Sequence, residues 1–176
     1  MRICFVCLGN ICRSPAAEAL LVHLRDQEYA DRGLGELVVE SAGTADYHVG
    51  RPPHEQSVAE AARRRVPIEH RGRQFAPGDF AAYDLVIALD AQNEADLLDL
   101  APDQQSAAKV VRLGAFAPDA AEHGARDVDD PWGHPDAAYV SMFDHLTDLL
   151  RGLLDHLAEG TTDEVLTTHG GRRLLQ

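Results

Sequence analysis

The sequence predicts an α/β fold: a single domain built on a four-stranded parallel open twisted sheet, with helices on both faces. Three observations lead there. Short apolar runs of strand length and composition recur at 3–6, 37–43, 83–90 and 110–113. Between them lie segments whose apolar residues are spaced by three and four, the period of a helix. The third run, Tyr83-Asp84-Leu85-Val86-Ile87-Ala88-Leu89-Asp90, is almost continuously apolar and closes on an acid, as suits a strand covered on both sides. At 176 residues the chain is long enough to bury one core without disulfides.

Taken in order, Ile3-Cys4-Phe5-Val6 is the first strand, and Ala17, Leu20, Leu21 and Leu24 mark the helix after it. Ser14 suits the N-cap of that helix and Pro15 its first position. The loop Arg32-Gly33-Leu34-Gly35 leads to a second strand, Leu37 to Gly43, rich in β-branched residues and stopped by glycine. Gly50-Arg51-Pro52-Pro53 turns into an alanine-rich helix from about His54 to Arg65, whose closing arginines read as a solvated helix end that complements the dipole. A short segment then carries His70, Arg71 and Arg73 toward Phe75. Asp90 closes the third strand and caps the helix of Glu94 to Leu100. After Val110-Val111-Arg112-Leu113 and a loop rich in Pro, Ala, Asp and Gly, a long helix runs from about Pro135 to Glu159. It carries Tyr139, Phe143, Leu146, Leu150, Leu153 and Leu157 on one stripe, which packs on the sheet. The domain thus occupies 1–159. Residues 160–176 read as a loosely held polar tail, with Leu166, Leu174 and Leu175 available to dock.

Composition excludes several classes of partner. A net charge of −13 repels nucleic acid and anionic lipid. Three cysteines, no charged-then-apolar leader and no apolar run of membrane-spanning length point to the cytoplasm and away from any membrane.

The chemistry concentrates in Cys7-Leu8-Gly9-Asn10-Ile11-Cys12-Arg13-Ser14-Pro15, a loop between a strand end and a helix start. Such a loop turns successive backbone N–H groups toward one point and adds the positive end of the helix dipole, which makes an anion site from main-chain atoms. Gly9 allows the tight turn, and Arg13 adds a planar donor suited to two phosphate oxygens. A thiol in this setting ionises more readily than a free one and becomes a nucleophile. Cys7 and Cys12 as a metal pair, a structural disulfide or inert buried thiols are the alternatives, with no second cysteine pair to complete a metal site. In open α/β sheets ligands bind at the carboxyl ends of strands, where both Cys7 and Asp90 fall. A thiolate attack on a phosphoryl group also needs an acid for the leaving group. Asp127-Val128-Asp129-Asp130-Pro131-Trp132-Gly133 offers one, although a plain acidic surface loop reads the same way. Nothing in the pattern calls for a metal or another cofactor.

The segment from Cys7 to Pro15 resembles the phosphate-binding loop of the low-molecular-weight protein tyrosine phosphatases. The likeness extends through Ser41-Ala42-Gly43-Thr44, His48-Val49-Gly50-Arg51-Pro52, His70-Arg71, Ala88-Leu89-Asp90 and Asp130-Pro131 before an aromatic residue, and covers about residues 2–158. It implies that Cys7 is the nucleophile of a cysteinyl-phosphate intermediate and that Arg13 binds the phosphate together with the loop from Leu8 to Cys12. Ser14 would donate a hydrogen bond to the Cys7 sulfur, and Asp130 would serve as acid and then as base. Asn10, Ser41 and His70 match a polar network that holds the loop, with Asp90 in support. Cys12 matches a second loop cysteine that forms a reversible disulfide with the nucleophile. The implied partners are a phosphorylated protein as substrate and inorganic phosphate as product or inhibitor.

Substrate choice turns on departures from the family pattern. Trp132 followed by Gly133 is similar to the loop of the bacterial protein-arginine phosphatases within the family, which usually carry a small polar residue where this chain has Ile11. An apolar Ile11 suits a phosphotyrosine ring better than a guanidinium. Tyr47, in place of a commoner tryptophan, completes the cleft with Ile11 and Trp132. Phosphotyrosine is therefore the expected substrate and phosphoarginine the alternative. The arsenate-reducing branch of this fold needs cysteines downstream of Cys12, and none occurs. A catalytically silent phosphoprotein-binding module is the remaining reading, against which Cys7, Arg13 and Asp130 all stand.

Overall fold

The computed structural model describes residues 1–173. Four strands, β1 (Arg2–Cys7), β2 (Val38–Gly43), β3 (Leu85–Ala88) and β4 (Val110–Arg112), form one sheet in the order β2-β1-β3-β4, parallel throughout. The helices are α1 (Arg13–Glu28), α2 (Glu55–Arg63), α3 (Ala91–Leu100), α4 (Gln104–Ala108), α5 (Ala120–His123), α6 (Asp136–Glu159) and α7 (Thr162–Arg173).

Alternation along the strands divides the core in two. Ile3, Phe5, Leu85, Ile87 and Val111 face one side, where Leu20, Leu21 and Leu24 of α1 meet Phe143, Leu146, Leu150 and Leu153 of α6. Cys4, Val6, Val86, Ala88 and Val110 face the other, against Phe75, Phe80, Tyr83 and Leu97. The stripe expected on the last long helix is thus the seam of the first core. Its helix ends at Gly160, whose φ of 72° is left-handed and costs a glycine little. Among the described residues no helix is long and apolar enough to cross a membrane.

Two expectations are corrected. Ser14 lies inside α1, which starts at Arg13 with Cys12 at its N-cap and no side-chain cap, because the Ser14 hydroxyl turns toward Cys7. Residues 162–173, expected in a loosely held tail, form α7, which packs against β4, α6 and the 3₁₀ turn Leu113–Phe116. Thr162 and His169 are buried, and Val165 and Leu166 rest against the core. The segment reads as polar because its buried members are a threonine and a histidine, the histidine paired with Glu94 inside the fold. Leu174 and Leu175 lie outside the described residues.

The register puts Cys7 opposite Gly43 at the carboxyl edge of the sheet. A side chain at Gly43 would bring its Cβ to 2.7 Å from the Leu8 carbonyl oxygen, so glycine is what lets the loop fold down over the end of β2.

Candidate active site

The loop after β1 closes around the Cys7 sulfur. The Asn10 backbone N–H donates to Cys7 Sγ at 3.3 Å, and Ser14 Oγ lies 3.0 Å from the same sulfur. Asn10 has a φ of 55°, a left-handed conformation that asparagine tolerates better than most residues. Its carboxamide is 1% exposed and fully used. Nδ2 donates to Ser14 Oγ at 2.9 Å and to Ser41 Oγ at 3.0 Å. Oδ1 meets His70 Nε2 at 2.8 Å and accepts from the Arg73 backbone N–H at 2.9 Å. Because Asn10 donates to Ser14, the serine proton is left for Cys7 Sγ or for the Ala42 carbonyl at 3.2 Å. A negative sulfur draws it.

Arg13 is buried beside this thiol. Its Nη1 donates to Asp90 Oδ2 at 2.5 Å and to the Val128 carbonyl at 3.2 Å, and its Nη2 donates to Asp130 Oδ2 at 2.9 Å. Burial works against the guanidinium charge, but Cys7, Asp130 and Asp90 outweigh it and raise its pKa above the ordinary arginine value. Asp90 divides its two oxygens: Oδ1 caps α3 by accepting from the Asn93 N–H at 2.6 Å, and Oδ2 holds Arg13. Asp130 Oδ1 accepts from the Trp132 N–H at 3.1 Å, which shapes the turn carrying the carboxylate.

Cys7, Ile11, Tyr47, Asp130 and Trp132 line one cleft of about 250 Å³. Trp132 is 60% and Tyr47 72% exposed, so they form walls at the rim, whereas Ile11 is 8% exposed and packs with Cys12 and Tyr139. Cys12 also reaches the cleft, but burial first and the neighbouring Cys7 second push its thiol up to about 12, against the hydrogen bonds of Ser57 and Tyr139. Burial raises the Cys4 thiol further still.

The expected polar residues meet at one cleft in two hydrogen-bonded sets: Cys7, Asn10, Ser14, Ser41 and His70 form one, and Arg13, Asp90 and Asp130 the other, with Cys7, Arg13 and Asp130 lining the cleft. Three contributors escaped the sequence reading. Glu18 accepts from Ser41 Oγ at 2.7 Å and lies 3.5 Å from His70 Nδ1; its place four residues after Ser14 on one helix face was the available signal. Arg73 contributes through its backbone, which no side-chain pattern encodes. His48 lines the cleft so closely that a Cβ on Gly9 would meet its ring at 2.9 Å.

Comparison with known proteins follows the same lines. The low molecular weight phosphotyrosine protein phosphatases, as a family, match residues 2–163. A low molecular weight protein-tyrosine-phosphatase of Streptomyces coelicolor is 43% identical over 132 residues, 74% of this chain and 77% of that protein. A protein tyrosine phosphatase from Entamoeba histolytica, crystallised with Hepes in the active site, superposes with a TM-score of 0.81 at 30% identity, covering 91% of this chain and 98% of that one. The YwlE arginine phosphatase of Bacillus subtilis, solved as a cysteine-to-serine mutant with a phosphorylated active site serine, gives a TM-score of 0.76 at 27% identity over 89% of this chain and 95% of that one.

Thiolates, not thiols, react with alkylating agents, so the environments of the three cysteines make a prediction. Iodoacetamide at neutral pH should label Cys7 alone, with inorganic phosphate slowing the reaction and Cys4 and Cys12 left untouched. Peptide mapping that found Cys12 labelled as fast as Cys7 would contradict the assignment.

Proposed function

The chain belongs to the low molecular weight phosphotyrosine protein phosphatase family, and we propose that it hydrolyses phosphorylated protein side chains, phosphotyrosine foremost, by two displacements at phosphorus. The observation that carries this reading is the convergence of the Asn10 amide and the Ser14 hydroxyl on Cys7 Sγ, with the Arg13 guanidinium beside it. A negative sulfur is met there by donors already in place. The arriving phosphoryl group brings charge that the loop amides and Arg13 gather.

In the first step Cys7 Sγ attacks phosphorus, the bond to the side-chain oxygen breaks, and Asp130 in its acid form protonates that oxygen. In the second, the Asp130 carboxylate takes a proton from water, the water oxygen attacks phosphorus, and the P–S bond breaks to give inorganic phosphate and the Cys7 thiolate. Asp130 is paired with Arg13 Nη2. A bound phosphate competes for that nitrogen and frees the carboxyl group for the leaving oxygen, whereas Asp90 keeps Arg13 aligned through Nη1.

Ile11, Tyr47 and Trp132 make a flat apolar slot above this centre, which favours an aromatic leaving group. The arginine phosphatase reading is supported by Trp132-Gly133 and by the likeness to YwlE. That relative's phosphorylated active site serine in place of cysteine also supports a phosphorylated Cys7 here. Cys12 is the redox partner in this scheme: peroxide converts the Cys7 thiolate to a sulfenic acid, Cys12 sulfur displaces hydroxide from it, and a disulfide forms. Oxidation removes the Cys7 charge, which after burial is the largest cause that keeps Cys12 protonated. Three free cysteines suit a cytoplasmic setting.

Replacing Cys7 by Ser should abolish turnover of aryl phosphates, and Asp130→Asn should slow release of a poor leaving group by roughly 10²-fold or more while inorganic phosphate still binds. Normal rates in Cys7→Ser would overturn the mechanism. Peroxide treatment followed by peptide mapping should recover a Cys7–Cys12 link; sulfinic acid at Cys7 without that link would remove Cys12 from the redox role. Phosphotyrosine peptides should be hydrolysed faster than phosphoarginine peptides, and Ile11→Thr should narrow the gap; the reverse preference in the unaltered protein would select the arginine reading.

A further inference from the structure

Most of α7 lies past residue 163, where the match to the family ends. Its one buried titratable side chain among those described, His169, is 7% exposed and places Nε2 2.6 Å from Glu94 Oε1, which accepts its proton. Glu94 sits in the first turn of α3, the helix whose N-cap is Asp90. Its other oxygen lies 2.9 Å from Arg112 Nε at the end of β4, close enough for an ion pair though not aligned as a hydrogen bond. Arg112 Nη1 then donates to Asp127 Oδ1 at 3.0 Å and to the Ala125 carbonyl at 3.2 Å. A continuous line of ionic and hydrogen-bonded contacts therefore runs from α7 through α3 and β4 to the loop that carries Asp130.

The far end of that line is closely fitted. The 125–128 backbone passes against Gly114, where a Cβ would collide with Arg126 main-chain atoms. Val128 donates its N–H to the Leu89 carbonyl at 2.8 Å, and its own carbonyl accepts from Arg13. Arg112 thus holds one side of the acid loop and Arg13 the other. A buried carboxylate with its hydrogen bonds satisfied keeps a single orientation; taking one donor away lets it turn toward a neighbouring cation such as Arg112. Loss of the His169 imidazole would let Glu94 draw Arg112 inward and away from Asp127.

We propose that His169 is a positioning residue for Asp130: through Glu94 and Arg112 it sets the Asp127–Asp130 loop, so that α7 serves as a brace for the general acid. The proposal rests on Asp130 being that acid. A misplaced acid matters most when the leaving oxygen is strongly basic and matters little when the phenol departs unaided, whereas a general loss of structure lowers both rates alike.

The test compares kcat/KM for phenyl phosphate, a poor leaving group, with that for p-nitrophenyl phosphate, a good one, in the full-length protein. Asp130→Asn calibrates the split. His169→Ala should lower kcat/KM for phenyl phosphate by about tenfold, a part of the ~10²–10⁴ a general acid supplies, with p-nitrophenyl phosphate changed less than twofold and inhibition by phosphate unchanged. His169→Gln, which keeps a donor toward Glu94, should recover most of the loss. Asp127→Ala, at an exposed side chain, should reproduce the split and decides the matter if His169→Ala does not fold. Equal effects on the two substrates, or none, with Asp130→Asn still producing the split, would overturn the role of His169 alone. No split in Asp130→Asn would overturn the acid assignment and this proposal with it.

Discussion

The site depends on one buried carboxamide. Asn10 is held in a left-handed turn, and its two donors and two acceptor lone pairs are all used. Those four contacts come from three different parts of the chain: α1 through Ser14, β2 through Ser41, and the 70–73 segment through His70 and the Arg73 backbone. Because an amide cannot exchange its donor and acceptor ends without losing bonds at both, the network has one direction. It runs from Asn10 to Ser14 and on to Cys7 in one branch, and through Ser41 to Glu18 in the other. The loop's shape is thus held by the protein's own groups, which is how a site avoids spending substrate binding on its own ordering.

The second constraint is charge. In a protein carrying a net −13, the buried guanidinium of Arg13 lies beside the Cys7 sulfur, where the proposed mechanism gathers an anion. Two carboxylates accompany Arg13, and they differ in burial: Asp90, the more buried, is bound also to the α3 N-terminus, while Asp130 sits on an exposed turn. One is placed to stay and the other to leave. In the proposed mechanism the same guanidinium keeps Asp90 on one nitrogen and exchanges Asp130 for phosphate on the other, which would couple phosphate capture to release of the acid.

The fold and most of the site were legible in the residues. The strand runs, the α1 and α6 stripes and the Cys7–Pro15 loop are local patterns, set by a period of two or 3.6 and by the needs of an anion-binding turn. Ser14 was misread as a cap because cap and hydrogen-bond donor use the same hydroxyl, and only the position of Cys7 decides between them. Glu18 and the Arg73 backbone were missed for a like reason. Their partners lie 23 and 63 residues away: the spacing from Ser14 puts Glu18 on the right face of α1, but no local pattern records which distant group either residue meets.

The C-terminal segment separates the two kinds of information most clearly. Taken alone, Gly160 onward is polar and glycine-interrupted, the composition of a free tail. In the folded chain its histidine meets Glu94 across 75 residues, and its helix covers the edge of the sheet at β4. The sequence by itself determined the parallel α/β class, the Cys7–Pro15 turn between strand and helix and the candidate acid loop, because each is written in residue type and near-neighbour spacing. Only the tertiary structure decided that Asp90 serves both a helix and an arginine, that Asp130 pairs with that arginine, and that α7 packs on the domain, since each of these is a pairing of charged groups between distant segments.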